Sequence, residues 1–225
     1  MNEVRAGIRL GIPIAIGYMP IAVTFGVLGK QTGLSPFEAT GMSALVFAGA
    51  SQFIALSLVQ AGVSYAEIIL ATFILNLRHL LMSTSLAGFL SYQRWQSPFL
   101  SFGITDETFV VATLAEDRLS ASKFLGLIFT AYSGWVLGTL LGSLFASFIP
   151  EILANAMGIA LYAMFIGLLI PSIKKSYRAG VVAGLSALIA WILYVSFPGI
   201  SYGWIIVLAT LAAASLGIWL EEEVA

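Results

Sequence analysis

Eight stretches of mostly apolar residues succeed one another along the chain: Gly7–Gly29, Pro36–Ala61, Ser64–Leu90, Pro98–Ala115, Ser122–Ile149, Ile152–Ile173, Ala179–Phe197 and Tyr202–Leu220. Crossing the hydrocarbon of a bilayer takes about 20 such residues as helix. Backbone groups in lipid must find partners within the chain, which leaves helices as the solution for runs this long. The breaks fall at Lys30–Ser35, Gly62–Val63, Ser91–Ser97, Glu116–Ala121, Pro150–Glu151, Lys174–Arg178 and Pro198–Ser201. They hold most of the charge and several prolines, as loops do, and none is long enough for a soluble domain. The pattern predicts an all-α polytopic bundle of about eight transmembrane spans, a single domain over residues 1–225. The apolar run after the charged stretch Met1–Arg9 outlasts the roughly 7–15 residues of a secretory signal. The first segment therefore reads as a retained span.

Composition agrees with this pattern. Apolar residues make up 60% of the chain and charged ones 9%, against roughly 25% charged in soluble domains, so the lipid bilayer must be the solvent for much of the surface. No basic patch with interleaved aromatics is present, which excludes nucleic acid as a partner. The absence of cysteine removes disulfides, thiol catalysis and thiolate metal sites. No Walker-type nucleotide loop occurs, so ATP is not the direct energy source within this chain, and no metal or cofactor is implied.

Basic residues set the orientation. With eight spans, Arg5, Arg9, Arg118, Lys123, Lys174, Lys175 and Arg178 share the N-terminal side, against Lys30 and Arg94 on the other. Both termini are then cytoplasmic. A seven-span alternative, with Pro98–Ala115 re-entrant and the N-terminus outside, gives the same seven against two. Arg5 and Arg9, ahead of the first span, favour eight. Gly134, Gly138 and Gly142 form a double GxxxG stripe on the fifth span, and Gly180 and Gly184 repeat it on the seventh, an expected site of close helix packing. Pro13 and Pro20 predict a kinked or partly unwound first span. Phe47–Phe53 and Phe102–Phe109 share a texture too short to establish a repeat.

Three clusters of polar residues interrupt the apolar runs, and such residues mark pathways, relays or buried pairs. Asn76, Arg78 and His79 lie near the middle of the third span; at about 100° per residue Thr72, Asn76, His79 and Ser83 share a face that Arg78 leaves. Thr105-Asp106-Glu107 falls near the middle of the fourth. Ser51-Gln52 sits in the second, with Gly41, Ala44, Ala48, Gln52 and Ala55 as a small-residue face. The plain reading of Arg78 with Asp106 or Glu107 is an ion pair fixing register; that of His79 and of Ser51-Gln52 is internal packing polarity. The functional reading uses His79, whose imidazole changes charge near neutral pH, and the carboxylates as a proton relay. Asp106 and Glu107 project about 100° apart on a helix, so one can pair with Arg78 while the other faces a cavity.

At these residues the chain resembles a known family. Pro20 and Phe25-Gly26, Met42-Ser43 with Val46 through Phe53, Asn76-Leu77-Arg78-His79 with Leu81-Met82-Ser83, Thr105-Asp106-Glu107, and Tyr162 through Leu169 resemble the AzlC family, large subunits of branched-chain amino acid exporters. The resemblance runs from about Gly7 to Pro171 and weakens after Lys174. It implies efflux of leucine, isoleucine and valine, and a small, separately encoded membrane subunit of the AzlD type. The substrate-binding candidates are Ser51, Gln52, Asn76 and Arg78; the proton-coupling candidates are His79, Asp106 and Glu107. Two other readings are weighed against export: a passive channel for a small polar solute, and an intramembrane hydrolase using Ser51 with His79. For the second, Gly49-Ala50-Ser51 lacks the later glycine of a nucleophile elbow. The expected site is one mid-membrane cavity shared by the first four spans.

Overall fold

A computed structural model describes residues 2–115, 118–150 and 176–222, together with 152, 166, 167, 169, 170, 173 and 174; side chains are described as far as 217. The expected sixth span, Ile152–Ile173, and the Tyr162–Leu169 motif lie outside the described residues apart from those positions, as do Glu116 and Asp117. The helices are α1 (Asn2–Gln31), α2 (Pro36–Leu45), α3 (Gly49–Gln60), α4 (Tyr65–Leu86), α5 (Ser97–Phe102), α6 (Asp106–Thr113), α7 (Ala121–Phe145), α8 (Tyr177–Ser196) and α9 (Tyr202–Glu222). Four helices among the described residues are long and apolar enough to cross a membrane: Asn2–Gln31, Tyr65–Leu86, Ala121–Phe148 and Tyr177–Ser196.

The chain forms two compact units, Met1–Phe53 with Asn76–Ala160, and Ile54–Leu75 with Leu161–Ala225. The frame of the first is the α1–α7 pair. A methyl group added at Gly7 would meet the backbone of Lys123 and Leu127, one at Gly134 would meet Ala15, and one at Gly26 would meet Thr139 and Ser143. Low numbers face low numbers, so the two helices run parallel. The expected glycine stripe on α7 is internal packing, with Gly138 on Met19 and Ala22 and Gly142 on Val23, which is the close approach that small residues permit. On α8 the second stripe has no such partner at Gly184 among the described residues. α1 runs unbroken through Pro13 and Pro20. Of the expected kinked or partly unwound first span, unwinding is absent: contact with α7 along its length holds the helix where two backbone donors are missing.

Two of the eight expected spans are not continuous helices. Residues 36–61 divide into α2 and α3 at Val46–Ala48, and residues 98–115 into α5 and α6 at Gly103–Thr105. Halves of 10 and 12 residues reach about 15–18 Å, half the hydrocarbon thickness, and each pair doubles back. α2 starts beside the end of α1, where Ala39 faces Gly29, and descends until Phe47 meets Tyr18. α3 turns back, bringing Phe53 against Phe25. The second hairpin enters from the opposite end. Leu90-Ser91 pairs in parallel with Leu119-Ser120, and Ser120 Oγ donates to Glu3 Oε2 at 2.9 Å, so α4 returns the chain to the end where α1 and α7 begin. α5 rises from there until Phe102 meets Tyr132. α6 descends again, its Val111 and Leu114 lining a cleft with Leu10 and Glu3. A helix followed by a re-entrant hairpin thus occurs twice, the second time inverted, an arrangement of the kind found in transporters with inverted repeats. The shared texture of Phe47–Phe53 and Phe102–Phe109 marks the two tips.

This topology moves Arg94. Within this unit, Arg5, Arg9, Arg94, Arg118 and Lys123 belong to the end where α1 starts, and Lys30 to the other. The second unit is held by Leu58, Ala71 and Val207, with Ile54, Ile68, Ile74 and Ile206 packed on them, and by a Ser201 hydroxyl donating to Glu67 Oε2. Tyr177–Ser196, the most apolar candidate span with a mean hydropathy of 2.0, buries no residue within its chain.

Candidate functional site

Each tip exposes backbone groups at mid-helix depth, and each uses local side chains to satisfy them, as hydrocarbon requires. At the first tip Tyr132 donates its hydroxyl to Ala44 O at 2.8 Å, and Ala48 O accepts from Ser51 Oγ at 2.9 Å and from Gln52 N at 3.1 Å. Gly49 makes the reversal possible, since a Cβ there would lie 2.7 Å from the Trp135 ring. At the second tip Thr105 is the N-cap of α6. Its hydroxyl accepts from Thr108 N at 3.2 Å, and Thr108 Oγ1 accepts from Thr105 N at 2.8 Å. Thr108 also donates to Gly103 O at 2.9 Å. Asp106 and Glu107 therefore open a helix, where its positive end favours acids. Their expected place in mid-helix is corrected, because a capped Thr-x-x-Thr box starts a new helix inside an apolar run.

The same correction applies to Ser51-Gln52. They stand in the first turn of α3, so the continuous face from Gly41 to Ala55 does not exist. Gln52, 1% exposed, lies in a closed network: its Nε2 donates to Ser43 Oγ at 3.3 Å, its Oε1 accepts from Trp135 Nε1 at 2.8 Å, and Ser43 bonds Thr139 at 2.8 Å. Asn76 Nδ2 donates to Ser51 Oγ at 3.1 Å. His79, three residues on and half-buried, makes none of the hydrogen bonds described around Ser51 and Gln52. Among the described residues, Ser51 Oγ thus has the Asn76 amide and the Ala48 carbonyl as its partners.

The acids of the second tip diverge as their spacing requires. Asp106 Oδ2 pairs with Arg78 Nη1 at 2.8 Å, the side chains 31% and 34% exposed. Glu107 Oε2 and Thr105 Oγ1 bond the Tyr18 hydroxyl at 2.5 and 2.7 Å. Tyr18 also sets its ring edge against Phe47, centroids 6.0 Å apart, and against Trp135 at 5.5 Å. The tips themselves meet through Phe47 and Phe102, centroids 6.4 Å apart. All the candidates but His79 thus converge on two tips, with Asn76 holding the first and Arg78 the second. Tyr18 and Trp135 escaped sequence reasoning; the signal for Tyr18 was a phenol midway along an apolar run, between two prolines.

Two buried polar atoms near the tips have no hydrogen-bond partner among the described residues: Asn76 Oδ1, an acceptor, and Arg78 Nε, a donor. Natural structures leave few such groups unmatched. At the C-terminal end of α4 lies a recess of about 220 Å³ lined by Ser83, Leu86, Leu90, Ser101 and Ile104 among others. On the α6 side a cleft of about 570 Å³ is lined by Glu3, Leu10, Val111, Leu114, Arg118 and Lys123 among others. No group of metal ligands occurs among the described residues.

The family model described as AzlC protein matches residues 13–149, which contain both hairpins, α7 and α1 from Pro13 onward. An uncharacterized membrane protein of Archaeoglobus fulgidus is 36% identical over 220 residues, covering 96% of this chain and 94% of its own length. The inner membrane protein YgaZ of Escherichia coli is 32% identical over 202 residues, covering 85% and 82%. The branched-chain amino acid transport protein AzlC of Bacillus subtilis is 26% identical over 190 residues, covering 81% and 74%. No solved structure matches the chain. On the family match and these relatives, this multi-pass membrane protein belongs to the AzlC family of membrane transport proteins.

Proposed function

We propose that the protein is a secondary exporter of branched-chain amino acids across the cytoplasmic membrane, with both termini in the cytoplasm. The observation that carries the reading is the free acceptor and free donor on α4, Asn76 Oδ1 and Arg78 Nε, beside two re-entrant tips. A zwitterionic amino acid supplies an ammonium for the first and a carboxylate for the second, and unwound helices beside such groups suit small-molecule transport. Ser51 and Gln52 belong to the substrate-binding set through the first tip, which they build. Asp106, Glu107 and His79 are the titratable groups available for proton coupling. The printed name of the Bacillus subtilis relative supports the substrate class, and the basic end of the first unit supports the orientation. A small AzlD-type subunit is the proposed partner.

The test is counterflow of labelled leucine into proteoliposomes loaded with unlabelled leucine, with and without that subunit. Uptake above empty liposomes, competed by isoleucine and valine, is expected. Equal uptake with and without protein, in both preparations, overturns the reading.

A further inference from the structure

We propose that Tyr18 is the latch of the second hairpin: its hydroxyl holds the α5–α6 tip against α1, and breaking that contact frees the tip without freeing the first. The inference rests on the transport reading for its role in turnover, but the latch itself is a matter of geometry. Its base is fixed, because α1 is locked to α7 by glycine contacts in which a single methyl group would meet backbone. Its catch is the pair of bonds to Thr105 Oγ1 and Glu107 Oε2, the cap and the second residue of α6. What it holds is slight: α5 has 6 residues and α6 has 8. That hairpin has open space on two faces, the recess beside α4 and the cleft beside Leu10 and Lys123. The first tip meets Tyr18 through the ring of Phe47, while the hydroxyl bonds go to the second tip, and the first tip's own polar groups are tied to α7 and α4.

The absence of cysteine makes a direct test possible. Ile104→Cys reports the second tip and Ala48→Cys the first, both buried in the parent, at 4% and 8% exposure. The measurement is the maleimide labelling rate of each in lipid nanodiscs. Adding Tyr18→Phe removes the hydroxyl and keeps the ring. Labelling at 104 is expected to rise about tenfold, the effect of one ordinary hydrogen bond on a local opening equilibrium, while labelling at 48 stays within about twofold. Glu107→Gln keeps an acceptor and should label like the parent; Glu107→Ala should reproduce the rise and carries the same test should Tyr18→Phe not accumulate. An unchanged rate at 104, or an equal rise at both positions, overturns the latch. In counterflow, Tyr18→Phe is expected to change the maximal exchange rate severalfold with KM unchanged. The expected labelling pattern together with a parent that shows no counterflow refutes the transport reading and leaves the latch standing.

Discussion

The two hairpins share a length scale, a reversal and an aromatic tip, yet their chemistry is opposite. The first is neutral and closed: Gln52, Ser43, Thr139 and Trp135 satisfy one another out of water. The second carries charge, its ion pair is about one-third exposed, and cavities flank it. A buried amide network is costly to break and fixes one geometry, whereas an ion pair in reach of water adds little stability. The contrast assigns a rigid hold to the first hairpin and a looser one to the second. An inverted repeat with one side locked and the other loose has a built-in asymmetry between the two faces of the membrane.

The largest test is all-or-none. If both hairpins re-enter, Arg94→Cys and Asn2→Cys label from the same face of sealed vesicles, and Lys30→Cys from the other. A bundle in which residues 36–61 and 98–115 both cross fully places position 94 opposite position 2. Labelling of 94 with 30 removes the first hairpin, and with it the comparison.

Next in size is Gln52→Leu. It leaves the Trp135 indole N–H without an acceptor in a dry site and costs about 2 kcal/mol, read as a lowered thermal midpoint in detergent. Glu107→Gln should move that midpoint by less than about 0.5 kcal/mol, since its acceptor remains, while altering transport. Similar losses from both would erase the distinction between the hairpins.

The ion pair comes third. Arg78→Ala strands Asp106, and the expected cost is about 1–2 kcal/mol, between the values for exposed and for buried pairs. Adding Asp106→Ala should recover part of it, because the two sites are coupled. A double variant as unstable as the sum of the singles would deny the pairing a structural role.

What the sequence made legible follows from what hydropathy measures. Long apolar runs are the same whether a chain crosses or turns back, so 36–61 read as a span, re-entry was weighed for 98–115 alone, and Arg94 was placed with Lys30. The turn signals were present, a Thr-x-x-Thr box at 105–108 and Gly49 amid small residues, but an apolar surrounding masked them. The Arg78–Asp106 pairing and the divergence of Glu107 were legible because helical geometry alone separates adjacent acids by about 100°. The α1–α7 packing was legible in its glycines, though not its partner. Tyr18 was invisible because its role depends on two segments some 30 and 90 residues further on, joined only by the reversals.

The smallest structural effect belongs to Asn76→Ala, and it bears most directly on where substrate sits. Asn76 has two polar atoms with different fates: Nδ2 donates to Ser51 at 3.1 Å, while Oδ1 is buried without a partner. Truncation loses the first bond, worth about 1 kcal/mol, but also removes an unmatched acceptor whose burial is unfavourable. The two terms oppose, so the thermal midpoint should change by less than the equivalent of about 1 kcal/mol. If Oδ1 receives the substrate ammonium, counterflow should nonetheless fall more than tenfold, since a charge-assisted bond to a buried acceptor is worth about 1.5–3 kcal/mol. Asn76→Asp, which keeps an oxygen there and adds charge, should bind leucine more tightly than Asn76→Ala does. Transport by Asn76→Ala at the parental rate would show that the free oxygen is a packing defect and that substrate passes elsewhere. A fall in stability matching the fall in transport would return Asn76 to the role of a brace for the first tip.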